Sequence, residues 1–470
     1  MAANLIKGIQ SKGVGTSLKH FAANNQEYQR FCISAEIDER TLREIYLPAF
    51  KAAVHEGQAW AIMGSYNKYK GEHCCHNQYL LNDLLKRDWG FDGVVVSDWG
   101  GVHDTKEAIF NGLDMEFGSW TNGLNWGQSN AYDNYYLAHP YLNLIKKGEV
   151  TEKELNDKVR RILRLVFRTN MAKERHFGSF GTEEHALAGR TIAQQGIVLL
   201  QNKKNVLPVD ASKVKRVLVV GENAVKRMTV GGGSSSLKAK YEVSPLEGIK
   251  ARLGDGAEVI YSPGYASPAV KEQDVLGAEE PDKMEIDADA LRNDAVKWAK
   301  DADVVFFVGG LNKNDGQDCE GNDRSSLSLP YEQDQLIAEL AKANPNTVVV
   351  IISGNAVAMP WVKQVPAIVE AWYSGTEAGN ALASILFGDV NPSGKLPFTF
   401  PARLEDNGAH ALGEHPGDSI NVKYNESIFV GYRWADKQKK TKPLFAFGHG
   451  LSYTTFAYGK ATATKKSLTA

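Results

Sequence analysis

"GVVVSDWGG", residues 93–101, is a run of small and β-branched apolar residues that stops abruptly at Ser97, Asp98 and Trp99 and continues into two glycines. Branched side chains favour a strand, and an apolar run without alternation reads as a strand buried on both faces. The same figure recurs around it. Strand-like runs at residues 15–20 and 61–66, and a short one near 114–117, each end in polar or aromatic residues: Lys19 and His20, then Ser65, Tyr66 and Asn67, then Met115 and Glu116. Helical patterns near 40–56, 78–88 and 104–111 separate them. Strands alternating with helices predict a parallel sheet with crossover connections. Ligands of such sheets sit at the carboxyl ends of the strands, so these polar tips are expected to face one site. The glycines after Asp98 leave the backbone free to turn sharply and admit a ligand closely.

Further along, a helix is predicted near 132–147 and another is opened by Thr151, with Glu154 three residues on, in a capping-box pattern. Residues 169–183 are charged and glycine-containing, as in a linker. A second alternating block then begins, with strands expected at 197–200, 216–220, 259–261, 304–308, 348–352 and 367–371, and helices near 184–195, 287–301, 331–343 and 376–387. This predicts a second α/β domain, an open, mostly parallel sheet covered on both faces. From Pro392 the pattern dissolves into loop-like sequence, with a β segment expected near 453–459. The resulting division is 1–168, a linker at 169–185, a second domain over 186–400, and an irregular segment over 401–470.

Composition narrows the function classes. The 470 residues are 43% hydrophobic and 23% charged, too long for a single core. Fifty-four basic against 56 acidic residues leave a formal charge of −2, which supplies no field for nucleic acid or anionic lipid. No apolar run reaches bilayer-spanning length. Neither nucleic acid nor membrane is therefore expected as a partner. The four cysteines are scattered and accompany no CxxC or HxxxH spacing, so neither a disulfide framework nor a zinc site is expected.

A carboxylate at a strand tip, such as Asp98, can be a nucleophile, a metal ligand or a helix cap. Its surroundings bear on the choice. "SLKHFAANNQEYQR", residues 17–30, brings Lys19, His20 and Arg30 to a neighbouring tip, a concentration of donors suited to polyols or anions, or else an ordinary polar loop. "MGSYNKYKG", residues 63–71, offers Tyr66, whose hydroxyl could support a carboxylate or whose ring could simply pack. In the second block, "GLNKNDGQDCEGNDRSSLSLP", residues 310–330, clusters Asp315, Asp318, Glu320 and Asp323 with Arg324. Acidic loops are commonly solvated, yet two-carboxylate hydrolysis needs one ionised and one protonated acid, and each domain could supply one. "VLVVGENAV" at 217–225 lacks GxGxxG, and "GGGSSS" at 231–236 reads as a flexible loop rather than a phosphate cradle.

The motifs "KHFAANNQE", Arg30, "GVVVSDWGG", "QDCEGNDR", "NPSGKLPFTFP" and "FAFGHGLSYTTF", in that order over nearly the whole chain, resemble glycoside hydrolase family 3 of the β-glucosidase type. The resemblance implies an α/β chain: part of a (β/α)8 TIM-type barrel, then an α/β sandwich domain with an open, mostly parallel sheet. It implies Asp98 as nucleophile and Glu320 as general acid/base of a retaining double displacement, with no cofactor and no metal. Lys19, His20 and Arg30 would hold sugar hydroxyls, Tyr66 would position the nucleophile, and Trp99 would wall the sugar site. The substrate implied is a β-linked oligosaccharide or an aryl or alkyl β-glycoside. Because the loop reads "KHFAANN" and not "KHFPGHG", the family's N-acetylglucosaminidase branch is disfavoured; a β-xylosidase of the same family is the nearer alternative.

Residue 1 falls in what resembles the middle of the family's barrel, and the last residues resemble the first strand of its fibronectin type III-like domain. On that reading residues 1–168 are the C-terminal half of a barrel. Self-association through exposed barrel edges and little activity are then expected. An inactive carbohydrate-binding fragment is the reading that keeps the fold and drops the reaction.

Overall fold

The structure, a computed structural model, describes residues 1–118, 131–169, 178–229, 233–235, 237–267, 287–314, 316–438 and 442–462. It divides into two compact units: residues 1–179 with 321–323 and 404–441, and residues 180–320 with 324–403 and 442–470. Residues 170–177 of the linker expected at 169–185, part of the 231–236 loop and Asp315 lie outside the described residues.

In the first unit, β1 (Ser17–Phe21), β3 (Ala61–Gly64) and β6 (Val94–Val96) form a parallel sheet in that order. β3 and β6 run in register from Ala61↔Val94 to Met63↔Val96. β1 pairs Leu18 with Ile62 and next Phe21 with Gly64, so one extra residue is accommodated where Lys19 and His20 lie. Such a bulge re-aims the side chains it carries. The strand expected near 114–117 is reduced to one bridge, Val96↔Met115. The Asp114 carboxylate accepts the Val95 N–H at 2.8 Å and Lys86 Nζ at 2.7 Å, thereby taking the donor that a longer ladder would use.

The helix expected over 40–56 is interrupted. A turn at Glu39–Thr41 capped by Asp38 widens over Leu42–Tyr46, and Pro48 opens the helix Pro48–His55. Proline has no N–H to continue the ladder. At Thr151 the capping box is altered: the hydroxyl accepts from Lys153 N and itself donates to Glu154 Oε2 at 2.7 Å.

A second sheet of this unit lies outside every sequence expectation. β2 (Ser34–Glu36) pairs in parallel with β4 (Lys68–Tyr69) and with Asn421–Lys423, while β4 and β5 (Glu72–His73) form an antiparallel hairpin. Its two-residue loop, Lys70 and Gly71, has both φ angles positive (50° and 88°), as the tightest hairpin turns require. Residues 401–470, read as one irregular stretch, are thus divided. Residues 404–441 group with the first unit and 442–470 with the second, and the strand expected near 453–459 is replaced by a bridge from Leu451 to Leu199.

The second unit is a six-stranded sheet in the order β7-β12-β11-β10-β8-β9: β7 (Val198–Asn202), β8 (Arg216–Val220), β9 (Glu258–Ser262), β10 (Val304–Gly310), β11 (Thr347–Ile352) and β12 (Ala367–Glu370). All pairs are parallel except β7 with β12 at one edge. Every residue of β10, β11 and β12 is buried. Val217, Val219, Phe306 and Val308 pack on one face with helices Pro245–Leu253 and Ala378–Leu386; Leu218, Val220, Phe307 and Ile351 pack on the other with Ala288–Ala299 and Gln333–Ala343. The helix Pro245–Leu253 was not anticipated, although Ser244 and Glu247 close a full capping box around Pro245. Gly248 and Gly379 let it touch its neighbour backbone to backbone: a Cβ on Gly248 would stand 2.1 Å from the Gly379 carbonyl. Among the described residues no helix is long and apolar enough to cross a membrane.

Candidate active site

In the first unit Asp98 follows β6 by two residues and is 5% exposed. Its backbone N–H points at the Cys75 sulfur at 3.4 Å, and Cys75 Sγ donates to the Ser65 carbonyl. That thiol is fully buried and pushed far up by desolvation, so it acts as neutral packing. It fits only because Gly64 and Gly101 lack side chains; a Cβ on either would come within 2.8 Å of the sulfur. Asp98 Oδ1 accepts the Trp99 N–H at 2.9 Å. Oδ2 lies 3.5 Å from His20 Nε2 and, among the described residues, accepts no hydrogen bond. A buried carboxylate oxygen without a donor is uncommon, because the desolvation cost is then uncompensated.

Trp99 is 57% exposed and stacks near Phe117, with centroids 6.1 Å apart. Its ring occupies the space above Gly118, whose φ is +62° and where a Cβ would meet Trp99 Cε3 at 2.4 Å. Lys19, next to His20 on the bulge, is exposed. Arg30 pairs with Glu27 at 2.8 Å and lays its guanidinium over the rings of Phe31 and Tyr66, at 5.0 and 5.1 Å. Tyr66 therefore meets Phe31 and Arg30. Asp323, also of this unit, accepts the backbone N–H groups of Glu27 and Tyr28.

Three histidines that the sequence reading passed over gather nearby in the chain. His73 stacks on His103 with centroids 3.8 Å apart, and His76 Nδ1 is 2.7 Å from Glu107 Oε2. Burial and then the neighbouring His103 ring lower His73 to about 3 and His76 to about 4; burial and then Lys68 lower His103. Among the described residues no group of His, Cys, Asp and Glu could hold a metal ion.

In the second unit Glu320 lies on the loop that follows β10, and its Oε2 accepts the Ser234 N–H at 2.7 Å and the Ser234 hydroxyl. Ser234 belongs to the "GGGSSS" stretch, so the described part of that loop is engaged with this carboxylate. The acidic residues of 310–330 do not act as one cluster. Asp318 turns to the ends of neighbouring strands, accepting from Gly354 N, Asn355 Nδ2 and Tyr373 Oη, while the Arg324 guanidinium donates to the Ala356 carbonyl. Glu370, at the end of β12, is fully buried, and desolvation holds its carboxyl well above the usual carboxylate range.

Residues 1–165 match the model of the glycosyl hydrolase family 3 N terminal domain, and residues 197–453 that of the glycosyl hydrolase family 3 C-terminal domain. Beta-glucosidase BoGH3A of Bacteroides ovatus is 51% identical over 98% of this chain and 62% of its own length. The exo-alpha-(1->6)-L-arabinopyranosidase of Bifidobacterium breve is 36% identical over 97% of this chain and 56% of its own. The crystal structure of DesR, a beta-glucosidase from Streptomyces venezuelae in complex with D-glucose, superposes with a TM-score of 0.85 at 32% identity, covering 97% of this chain and 69% of that one. The chain thus spans less than two thirds of the length of the two relatives named.

Proposed function

The chain belongs to glycosyl hydrolase family 3, and from that premise we propose that it cleaves β-glycosides of the glucoside type with retention of configuration, Asp98 serving as nucleophile and Glu320 as acid/base. The observation that carries this reading is the Asp98 carboxylate: buried, steered through Oδ1 by the Trp99 N–H, and with Oδ2 accepting no hydrogen bond among the described residues. A nucleophile needs a lone pair that no donor has claimed.

In the first step an Asp98 oxygen forms a bond to the anomeric carbon as the glycosidic C–O bond breaks, and the Glu320 proton passes to the departing oxygen. In the second, Glu320 takes a proton from water, whose oxygen displaces Asp98 from the sugar. Two-carboxylate chemistry of this kind uses no metal or organic cofactor. His20, 3.5 Å from Asp98, and its neighbour Lys19 supply donors to ring hydroxyls, and such bonds lower the barrier only as far as they strengthen in the oxocarbenium-like transition state. Trp99, half exposed on its Phe117 support, offers the apolar face of a sugar ring a flat surface. Arg30 joins the same donor set, its guanidinium aligned by Glu27 and by the Tyr66 ring, and Tyr66 shapes the site through Arg30.

Proton NMR of the first-formed sugar tests the reading: a β-glucoside should release the β-anomer first. Initial release of the α-anomer would rule the mechanism out.

A carbohydrate-binding role without turnover is the second reading, which keeps the exposed Trp99 face on its Phe117 support and drops the reaction. Glucose binding by calorimetry with no release of p-nitrophenol from its β-glucoside would select it. Val159, Leu163 and Phe167 are exposed along helix Glu152–Arg168. Self-association through this surface is expected, and Phe167→Glu should shift the mass measured by light scattering toward the monomer.

A further inference from the structure

Resting on the assignment of Glu320, we propose that Asp318 is the positioning residue of the acid/base: its carboxylate ties the loop after β10 to the ends of β11 and β12 and so fixes where Glu320 stands. Asp318, its hydrogen-bond partners and Glu320 all belong to the second unit. Asp318 Oδ2 accepts the Gly354 N–H at 2.6 Å and the Tyr373 hydroxyl at 2.9 Å; Oδ1 accepts Asn355 Nδ2 at 2.7 Å. Its own N–H donates to the Asn312 carbonyl at 3.1 Å, closing the loop on itself. Gly354 and Asn355 follow β11, which ends at Ile352, and Tyr373 follows β12, which ends at Glu370. One side chain therefore gathers the carboxyl ends of three adjacent strands.

A carboxylate that accepts three hydrogen bonds from three directions is fixed in orientation as well as in place, and bonds to a charged acceptor are the stronger kind. Glu320 is two residues away, so its Cα can lie no more than about 7 Å from that of Asp318. Releasing Asp318 would leave Gly316, at positive φ, as a point about which the chain leading to Glu320 can swing. Misplacement of a catalytic group by about 1 Å costs on the order of 10²-fold in rate.

Cys319, half buried between the two acids, reports the state of the loop without reference to activity, and exposed Cys32 in the first unit serves as internal standard. The measurement is iodoacetamide alkylation of the full chain, resolved by peptide mass spectrometry as the Cys319 to Cys32 ratio. Asp318→Ala should raise it about tenfold or more, and Tyr373→Phe, which removes one donor of three, about threefold. Asp318→Asn should stay close to wild type, because the Asn355 amide can turn its oxygen to meet the new amide. Val350→Ala, which thins the core under the same sheet, should leave the ratio unchanged. Labelling of Asp318→Ala no faster than Val350→Ala would overturn the proposal.

A second arm separates positioning from folding. Across aryl β-glucosides, Asp318→Ala should lose about 10²-fold in kcat/KM where the leaving group needs a proton and less than about threefold for 2,4-dinitrophenol, with Asp318→Asn restoring the difference. A uniform loss across leaving groups would overturn the positioning role. If Glu320→Ala itself shows no dependence on the leaving group, the acid assignment fails, while the labelling ratio still decides whether Asp318 anchors the loop.

Discussion

Asp98 stands two residues beyond a strand whose three residues are all buried, whereas Glu320 stands on a loop that leaves its strand at Gly310. The first is placed by backbone register: β6 is locked to β3, and the turn after it is packed by Cys75 against two glycines. The second is placed by side chains from other segments, Ser234 on its own carboxylate and Gly354, Asn355 and Tyr373 on Asp318. A nucleophile must meet one carbon along one line, which suits the rigid mount. An acid/base delivers a proton in one step and takes one in the next, and a mount built from exchangeable hydrogen bonds fits that dual duty.

The largest expected effect breaks the rigid side of this contrast. Asp98→Asn keeps the shape and the Trp99 N–H contact but removes the proposed nucleophile, and should lower kcat for an aryl β-glucoside by about 10⁴-fold or more with little change in Tm. Glu320→Ala should be milder and conditional. About 10²–10³-fold is expected to be lost on alkyl glucosides, much less on dinitrophenyl glucoside, with activity partly restored by azide acting in place of water. Equal losses for all leaving groups would erase the distinction between the two acids. Gly118→Ala sharpens it, since the added methyl meets the Trp99 ring and a positive φ at once. A cost of about 1–3 kcal/mol in urea unfolding, with a raised KM, is expected.

What could be read from the sequence follows the same division. All six strands of the second unit's sheet were foreseen, and so was the strand leading to Asp98; for β8, β10, β11 and β12 and for β6 the reason is that fully apolar runs announce buried strands without help from partners. The hairpin at Lys70 and Gly71 and the strand Asn421–Lys423 escaped: each is a two- or three-residue element whose existence depends on a partner far along the chain. Helix Pro245–Leu253 was legible, through Ser244, Pro245 and Glu247, but its weakly periodic apolar residues hid it. Asp318 and Glu320 look alike in the sequence. Only the positions of Gly354, Tyr373 and Ser234, none of them near in the chain, separate an anchor from a candidate acid.

The smallest predicted effects oppose the two units in pH. In the first, the folded histidines titrate below the ordinary value of 6.5, at about 3 for His73 and about 4 for His76, so they are neutral when folded and charged when unfolded in mild acid. Their contribution is complete above about pH 6.5 and declines as pH falls through this window toward 4 and 3. His73→Phe should therefore narrow the drop in Tm between pH 7 and pH 4.5 by about 3 °C. In the second unit Glu370 titrates above the ordinary 4.5, so its contribution is complete below that value and declines as pH rises. Glu370→Gln should gain on wild type by a similar margin between pH 4.5 and pH 8. Parallel pH profiles of variant and wild type would contradict either half.

Incubation with 2-deoxy-2-fluoro-β-glucosyl fluoride, followed by peptide mass spectrometry, reaches the central claim most directly, because the fluorosugar accumulates on the nucleophile even when turnover is slow. The account predicts a single fluoroglucosyl adduct on the peptide containing residues 93–101, carried by Asp98 and absent from Asp98→Asn. An adduct on another carboxylate, or none on Asp98 after prolonged exposure, would contradict it.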